Sequence, residues 1–262
     1  MRNREGTPIW YELMTQNPDV AQDFYGKVMG WSFEAMPAED DMDYRVASAG
    51  GAPIAGVMRK PEHAQAMPDM WFAYIAVKDV DAAAEKVKAL GGRVDMEPDD
   101  IPDVGRFAFC SDPQGAHFYL MRTDSDEASA AFTPMKPGHA CWNELVTTDQ
   151  KAALDFYGKL FGWEHGGAMS MGPAGEYIFL NHEGDMIGAV MEMPEKDTKP
   201  YWNFALQVTH IDKARSTVEQ AGGLLRIGPT ELPDNAGWLI QTDDPQGAKM
   251  MFVGNRKGEF HD

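Results

Sequence analysis

Asp23-Phe24-Tyr25-Gly26-Lys27-Val28-Met29-Gly30-Trp31 returns 132 residues later as Asp155-Phe156-Tyr157-Gly158-Lys159-Leu160-Phe161-Gly162-Trp163. Working outward from this pair, further matches appear in the same order on either side. Trp10-Tyr11-Glu12-Leu13 matches Trp142-Asn143-Glu144-Leu145, and Ile54-Ala55-Gly56-Val57-Met58 matches Ile187-Gly188-Ala189-Val190-Met191. Gly91-Gly92 matches Gly222-Gly223, and Asp112-Pro113-Gln114-Gly115-Ala116 matches Asp244-Pro245-Gln246-Gly247-Ala248. Five blocks in one order exclude coincidence. A period this long is too large for a solenoid and suits one small domain, so the chain reads as two fused copies of one fold.

The bulk properties narrow the function classes. With 262 residues and 44% hydrophobic content, the chain is long enough for two ordinary cores. Acidic residues outnumber basic ones by 41 to 23, for a net charge of −18, which argues against nucleic acid because phosphate neutralisation needs a basic surface. No segment reaches the roughly 18 consecutive apolar residues of a membrane span, so a cytoplasmic protein is expected. Cys110 and Cys141 lack CxxC spacing and fit reduced structural thiols.

Within each copy, Ile9–Met14 and Cys141–Val146 alternate with period two and predict strands. A polar turn and a helix ending at the glycine before Trp31 or Trp163 follow, with Val20, Phe24 and Val28 on one stripe. Short strands are predicted over Tyr44–Ala49 and Ile54–Met58, matched by Tyr177–Asn181 and Ile187–Met191. The order then restarts with strand Phe72–Val77, helix Val80–Leu90, and strands Arg106–Cys110 and His117–Met121. Asn203–Val208, Ile211–Ala221, Trp238–Thr242 and Lys249–Val253 repeat it in the second copy. Each copy is therefore expected to be a pair of βαβββ units in an α+β fold. The segment Thr123–Pro137, rich in Asp, Ser, Ala and Pro, is the natural linker. Domains are expected over 1–124 and 138–262, with the linker over 125–137.

The tandem βαβββ plan, the Asp-Phe-Tyr-x-x-x-x-Gly-Trp helix and the Asp-Pro-x-Gly turn resemble the vicinal oxygen chelate superfamily. That superfamily includes glyoxalase I, extradiol dioxygenases, and bleomycin- and fosfomycin-resistance proteins. The doubled Trp-x-Glu-Leu opening narrows the resemblance to two-copy glyoxalase-like proteins. It implies two glyoxalase-like domains with pseudo-twofold symmetry, whose curved mixed sheets form half-open barrels with ligand sites on the concave faces. It implies no single reaction, since one fold hosts many.

The superfamily's enzymes hold a divalent metal with His, Glu or Gln at fixed strand positions. The resemblance places these at Trp10, Ala55 or Gly56, Phe72 and Tyr119 in the first copy, and at Trp142, Gly188, Asn203 and Met251 in the second. Indole, phenyl and glycine offer no such donors. No metal or other cofactor is therefore expected, a divalent ion being the alternative.

Residues two apart on a strand share a face, so Glu12 and Glu144 lie beside Trp10 and Trp142 on the concave side. Phe72, Tyr74, His117 and Tyr119 then line the remaining wall of the first copy, and Asn203, Gln207, Lys249 and Met251 that of the second. The two glutamates either cap a backbone or pair with an arginine, or else serve as acid–base groups. The tryptophans are either core or stacking platforms. His117 is either a satisfied structural histidine or a titrating partner. If the copies share walls, Glu144 is expected to face His117 and Tyr119, and Glu12 to face Lys249 and Asn203.

Three functions fit these residues. One is a metal-independent enzyme, a lyase, isomerase or oxygenase acting on a small carbonyl or aromatic substrate, with Glu144 or Glu12 as base and His117 or Lys249 as polariser. Another is a protein that sequesters a small molecule, as bleomycin-resistance proteins do. The third is a metal-dependent lyase or dioxygenase. The expected partner in each case is a small-molecule ligand, with neither nucleic acid nor membrane, in a monomeric pseudo-dimer or a homodimer.

Overall fold

The computed structural model describes residues 3–37, 42–193 and 199–256. The first copy runs β1 (Pro8–Thr15), α1 (Pro18–Met29), β2 (Ser32–Ala35), β3 (Tyr44–Ala49), β4 (Ala52–Arg59), β5 (Met70–Ala76), α2 (Val80–Ala89), β6 (Arg93–Ile101), β7 (Gly105–Ser111) and β8 (His117–Thr123). The second repeats this as β9 (Ala140–Thr147), α3 (Gln150–Phe161), β10 (Glu164–Ser170), β11 (Glu176–His182), β12 (Asp185–Glu192), β13 (Tyr201–His210), α4 (Ile211–Gln220), β14 (Leu224–Glu231), β15 (Trp238–Asp243) and β16 (Lys249–Asn255). Both copies are therefore paired βαβββ units.

Local chemistry sets the helix ends. The Asn17 side chain accepts from the Asp19 amide to open α1, and Gly30 closes it at φ +70°. Asp149 accepts from the Ala152 amide to open α3, and Gly162 closes it at φ +75°. A left-handed residue is needed at each C-terminus, which is why both repeats carry glycine there.

Each copy contributes one eight-stranded mixed sheet, ordered β2-β3-β4-β1-β5-β8-β7-β6 and β10-β11-β12-β9-β13-β16-β15-β14. Each sheet has two free edges, so neither closes into a barrel. The edge strands β2, β6, β10 and β14 are the ones that alternation does not reveal. They are largely exposed, as in the Arg93–Ile101 strand, and Pro98 and Pro229 lie within two of them. Charged or proline-bearing edges resist pairing with other chains, and that composition hides the strand signal.

The chain resolves into two compact units that recombine segments of both copies. One comprises Met1–Ile9, Phe72–Ser129 and Trp142–Asn203; the other comprises Trp10–Trp71, Ala130–Cys141 and Phe204–Asp262. The repeated motifs hold each unit together. In the first unit, Trp202 Nε1 donates to Tyr157 Oη at 3.1 Å, and Tyr157 Oη donates to Asp112 Oδ2 at 3.1 Å. Asp112 Oδ1 accepts from the amides of Gln114, Gly115 and Ala116, which shapes the Asp-Pro-Gln-Gly turn. In the second unit, Trp71 Nε1 donates to Tyr25 Oη at 2.9 Å, and Tyr25 donates to Asp244 Oδ2 at 3.3 Å. The helix of one repeat is thus bonded to the turn of the other.

The remaining tryptophan of the motif closes the same clusters. Trp31 stacks on Tyr25 at 5.7 Å and donates to Gly138 O at 2.8 Å. Trp163 stacks on Tyr157 at 5.4 Å and donates to Gly6 O at 2.8 Å. Aromatic contacts of this kind contribute about 1 kcal/mol each beyond burial. Cys110 and Cys141 are free and buried, and burial pushes both thiols up to about 12, as suits structural thiols.

Candidate functional site

Strand register decides which side chains share a face with the two glutamates. In the parallel pair of β9 and β12, Glu144 stands opposite Ala189, and Ala189 stands opposite Phe179 of β11. Glu144, Ala189 and Phe179 therefore form one row, with Trp142 and Tyr177 two residues along on the same face. The β12 residue on the face of Glu144 is thus Ala189; Gly188, which the resemblance suggested, pairs with Asn143 and stands on the other phase.

The side chains of this row form a chain of hydrogen bonds. Trp142 Nε1 donates to Tyr177 Oη at 2.8 Å, and Tyr177 Oη donates to Glu144 Oε2 at 2.8 Å. Asn203, at the start of β13, donates to the same carboxyl. Glu144 is only 6% exposed. Burial raises its pKa above the ordinary 4.5, while the Tyr177 and Asn203 donors oppose that rise. Trp142 packs edge-on to Phe179, as does Tyr177, so the carboxyl sits among three aromatic rings.

The first copy repeats the arrangement, with Gly56 in place of Ala189, Val46 in place of Phe179 and Phe72 in place of Asn203. Glu12 pairs with Gly56, and Gly56 with Val46, so Tyr44 lies two residues along the same face. Trp10 Nε1 donates to Tyr44 Oη at 3.1 Å, and Tyr44 bonds to Glu12. A Cβ built on Gly56 would lie 2.1 Å from Tyr44 Oη. The tyrosine hydroxyl therefore occupies the space that a side chain would need at that position, and Gly56 is required for its close approach. Burial and the neighbouring Glu12 charge hold the Tyr44 hydroxyl well above its ordinary pKa.

The other predicted wall residues fall in two groups. Phe72, Tyr74, His117 and Tyr119 meet as one aromatic cluster with Phe109. Tyr74 and Tyr119 stack at 4.0 Å with their planes 4° apart, and His117 stacks on Phe109 at 5.1 Å. His117 Nδ1 lies 3.4 Å from Asp95 Oδ2, and burial, opposed by Asp95, lowers its pKa. Gln207 and Met251 are buried on one face of β13 and β16, and Lys249 is exposed at the start of β16.

Asn203, expected to face Glu12, is hydrogen-bonded to Glu144. Glu144 is bonded to Tyr177 and Asn203, and His117 lies against Asp95, Phe72 and Phe109. Sequence reasoning missed Tyr44 and Tyr177. Both open a predicted strand at matching places in the repeat, which was the available signal.

Around each glutamate the neighbours are indole, phenol and, for Glu144, an amide. Among the described residues, no three His, Cys, Asp or Glu side chains converge as metal ligands would. A divalent ion requires several anionic or imidazole donors, so this donor set does not suit one.

Comparison with known proteins bears on the fold. The Glyoxalase/Bleomycin resistance protein/Dioxygenase superfamily matches residues 8–120 and 136–252. The anthracycline biosynthesis protein DnrV of Streptomyces peucetius is 30% identical over 97% of this chain and 94% of its own length. CFP32 of Mycobacterium tuberculosis, which carries a glyoxylase name, is 47% identical over 46% of this chain, and the match spans only 45% of CFP32. The solved Mn(II)-bound glyoxalase from Novosphingobium aromaticivorans superposes with a TM-score of 0.64 at 18% identity, over 98% of this chain and 83% of that one. Both repeats match the profile, and the paired βαβββ sheets have the corresponding fold: the chain belongs to the Glyoxalase/Bleomycin resistance protein/Dioxygenase superfamily.

Proposed function

We propose that this protein binds a small, ring-bearing organic molecule in its second copy, against Trp142 and the Glu144 carboxyl, without the superfamily's usual metal. The observation that carries the reading is the Trp142–Tyr177–Glu144 hydrogen-bond chain, with Asn203 as a further donor to the carboxyl. A buried carboxyl is costly unless it is hydrogen-bonded, and here two neutral donors hold it in one orientation. Three rings beside it supply apolar area for a flat ligand. The likeness to DnrV, whose name places it in anthracycline biosynthesis, supports an aromatic polyketide-like molecule as the ligand.

A second reading, that the bound molecule is also turned over, is favoured by the raised pKa of Glu144. A carboxyl moved toward neutrality can take a proton from a carbon beside a carbonyl at moderate pH. Tyr177 would then be a positioning residue, aiming Glu144 Oε2.

A hydroxylated anthraquinone titrated against tryptophan fluorescence tests the binding. Glu144→Gln is expected to weaken it about tenfold, which corresponds to loss of one charge-assisted hydrogen bond, while Glu12→Gln leaves it nearly unchanged. Equal affinity for the native protein and both variants would overturn the assignment to Glu144. Elemental analysis of protein purified without chelators checks the other half. About one equivalent of zinc, nickel, iron or manganese per chain would replace this reading with the metal-dependent one.

A further inference from the structure

Asn203 has two ends, and only one is used by the protein. Asn203 is hydrogen-bonded to the Glu144 carboxyl, and since Oδ1 has no partner among the described residues and a carboxylate accepts, Nδ2 is the end turned to it. Its Oδ1 is buried and accepts no hydrogen bond among the described residues. The residue is 6% exposed, so bulk water does not satisfy that oxygen. A buried amide oxygen with no partner is destabilising, and such groups in native proteins usually await a ligand, an ion or an ordered water. A cation is a poor candidate, because the surrounding donors do not form a coordination sphere.

The position that Asn203 occupies is Phe72 in the first copy. Phe72 is fully packed, edge-on to Phe109 at 5.3 Å and to Tyr119 at 5.9 Å, and it offers no acceptor. The repeats therefore differ in polarity at this position beside the carboxyl. The same glutamate, tyrosine and tryptophan recur in both, but only the second copy adds an amide.

We infer that Asn203 is a specificity-determining residue: its Oδ1 selects ligands that carry an O–H or N–H donor on the ring system lying against Trp142. The inference rests on the binding site proposed above and names the ligand chemistry it accepts. The amide is suited to the task because Glu144 fixes its flip. With Nδ2 bonded to the carboxyl, Oδ1 is the end left to the ligand, and a ligand acceptor there would meet a lone pair. Sites built to bond a polar group reject analogues that lack it, because the protein's own group is then left buried and unpaired.

The test compares three probes on the full chain: β-hydroxyanthraquinone, whose hydroxyl is too far from the quinone carbonyls to bond internally, its β-methoxy counterpart, and unsubstituted anthraquinone. Binding is measured by calorimetry or fluorescence at a pH below the titration of the phenol. The native protein is expected to favour the hydroxy probe about tenfold over the other two, and Asn203→Leu is expected to bring the three within about twofold. Should Asn203→Leu fail to fold, by circular dichroism, Asn203→Ala takes its place, since neither side chain can accept a hydrogen bond, and the native comparison stands without either. Equal binding of all three probes to the native protein overturns the inference and leaves the aromatic site intact. A preference for the hydroxy probe that survives in the folded variant also overturns it, since the donor is then read elsewhere. Failure of every probe to bind the native protein overturns the inference together with the site on which it rests.

Discussion

Tyr177 occupies a middle place, accepting from Trp142 and donating to Glu144. Its hydrogen bond lowers the Glu144 pKa against the effect of burial. Tyr177→Phe removes that donor, so the carboxyl is expected to titrate further above its ordinary 4.5, and any pH dependence of probe binding should move to higher pH. The variant also strands the Trp142 N–H, for a loss of about 1–2 kcal/mol in denaturant unfolding. An unmoved pH profile would mean that Tyr177 does not position the carboxyl. The shared face of Glu144 and Trp142 was legible in the Trp-x-Glu spacing, since residues two apart share a strand face. The tyrosine was not legible, because its partnership depends on β11 reaching β9 through β12, and strand order is not written in a local pattern.

At the scale of elements, the Asp-Pro-Gln-Gly turn is tied to a helix by its aspartate. Burial raises the Asp244 pKa from 3.8 to about 6, the nearby Asp69 adding to this, while backbone donors and Tyr25 oppose it. The folded chain therefore binds this proton more tightly than the unfolded chain does. The resulting stability is fully present below about pH 4, and it is lost as pH rises through the folded value near 6. The difference corresponds to about 3 kcal/mol. Asp244→Asn has no such proton, so its stability should be flatter between these limits than that of the native chain, as measured by urea unfolding across pH. Identical slopes would remove Asp244 from the account. The turn and the helix were each evident from glycine, proline and capping residues, whereas β2, β6, β10 and β14 were not. Exposed edges carry polar and proline residues that discourage further pairing, and this erases the alternation that marks a strand.

For the whole molecule, the division of the chain has a direct consequence. Each compact unit draws on both repeats, and the bonds Tyr25–Asp244 and Tyr157–Asp112 join residues of different repeats. A chain cut in the segment 125–137 should therefore give halves that aggregate or self-associate when made separately and recombine when made together, as light scattering and co-purification would show. A monomeric, fully folded half with a sharp thermal transition would count against this. By itself, the sequence determined the duplication, the βαβββ order, the buried strand faces and the shared strand face of each Trp-x-Glu pair, because these follow from spacing, turn residues and side-chain periodicity along one stretch of chain. Only the tertiary structure decided that the repeated Tyr and Asp bond across copies, that Asn203 serves Glu144, and that Tyr44 fills the space above Gly56. Those facts depend on register and on which segments pack together, and hydrogen-bond partners so distant in sequence leave no periodic trace in either segment.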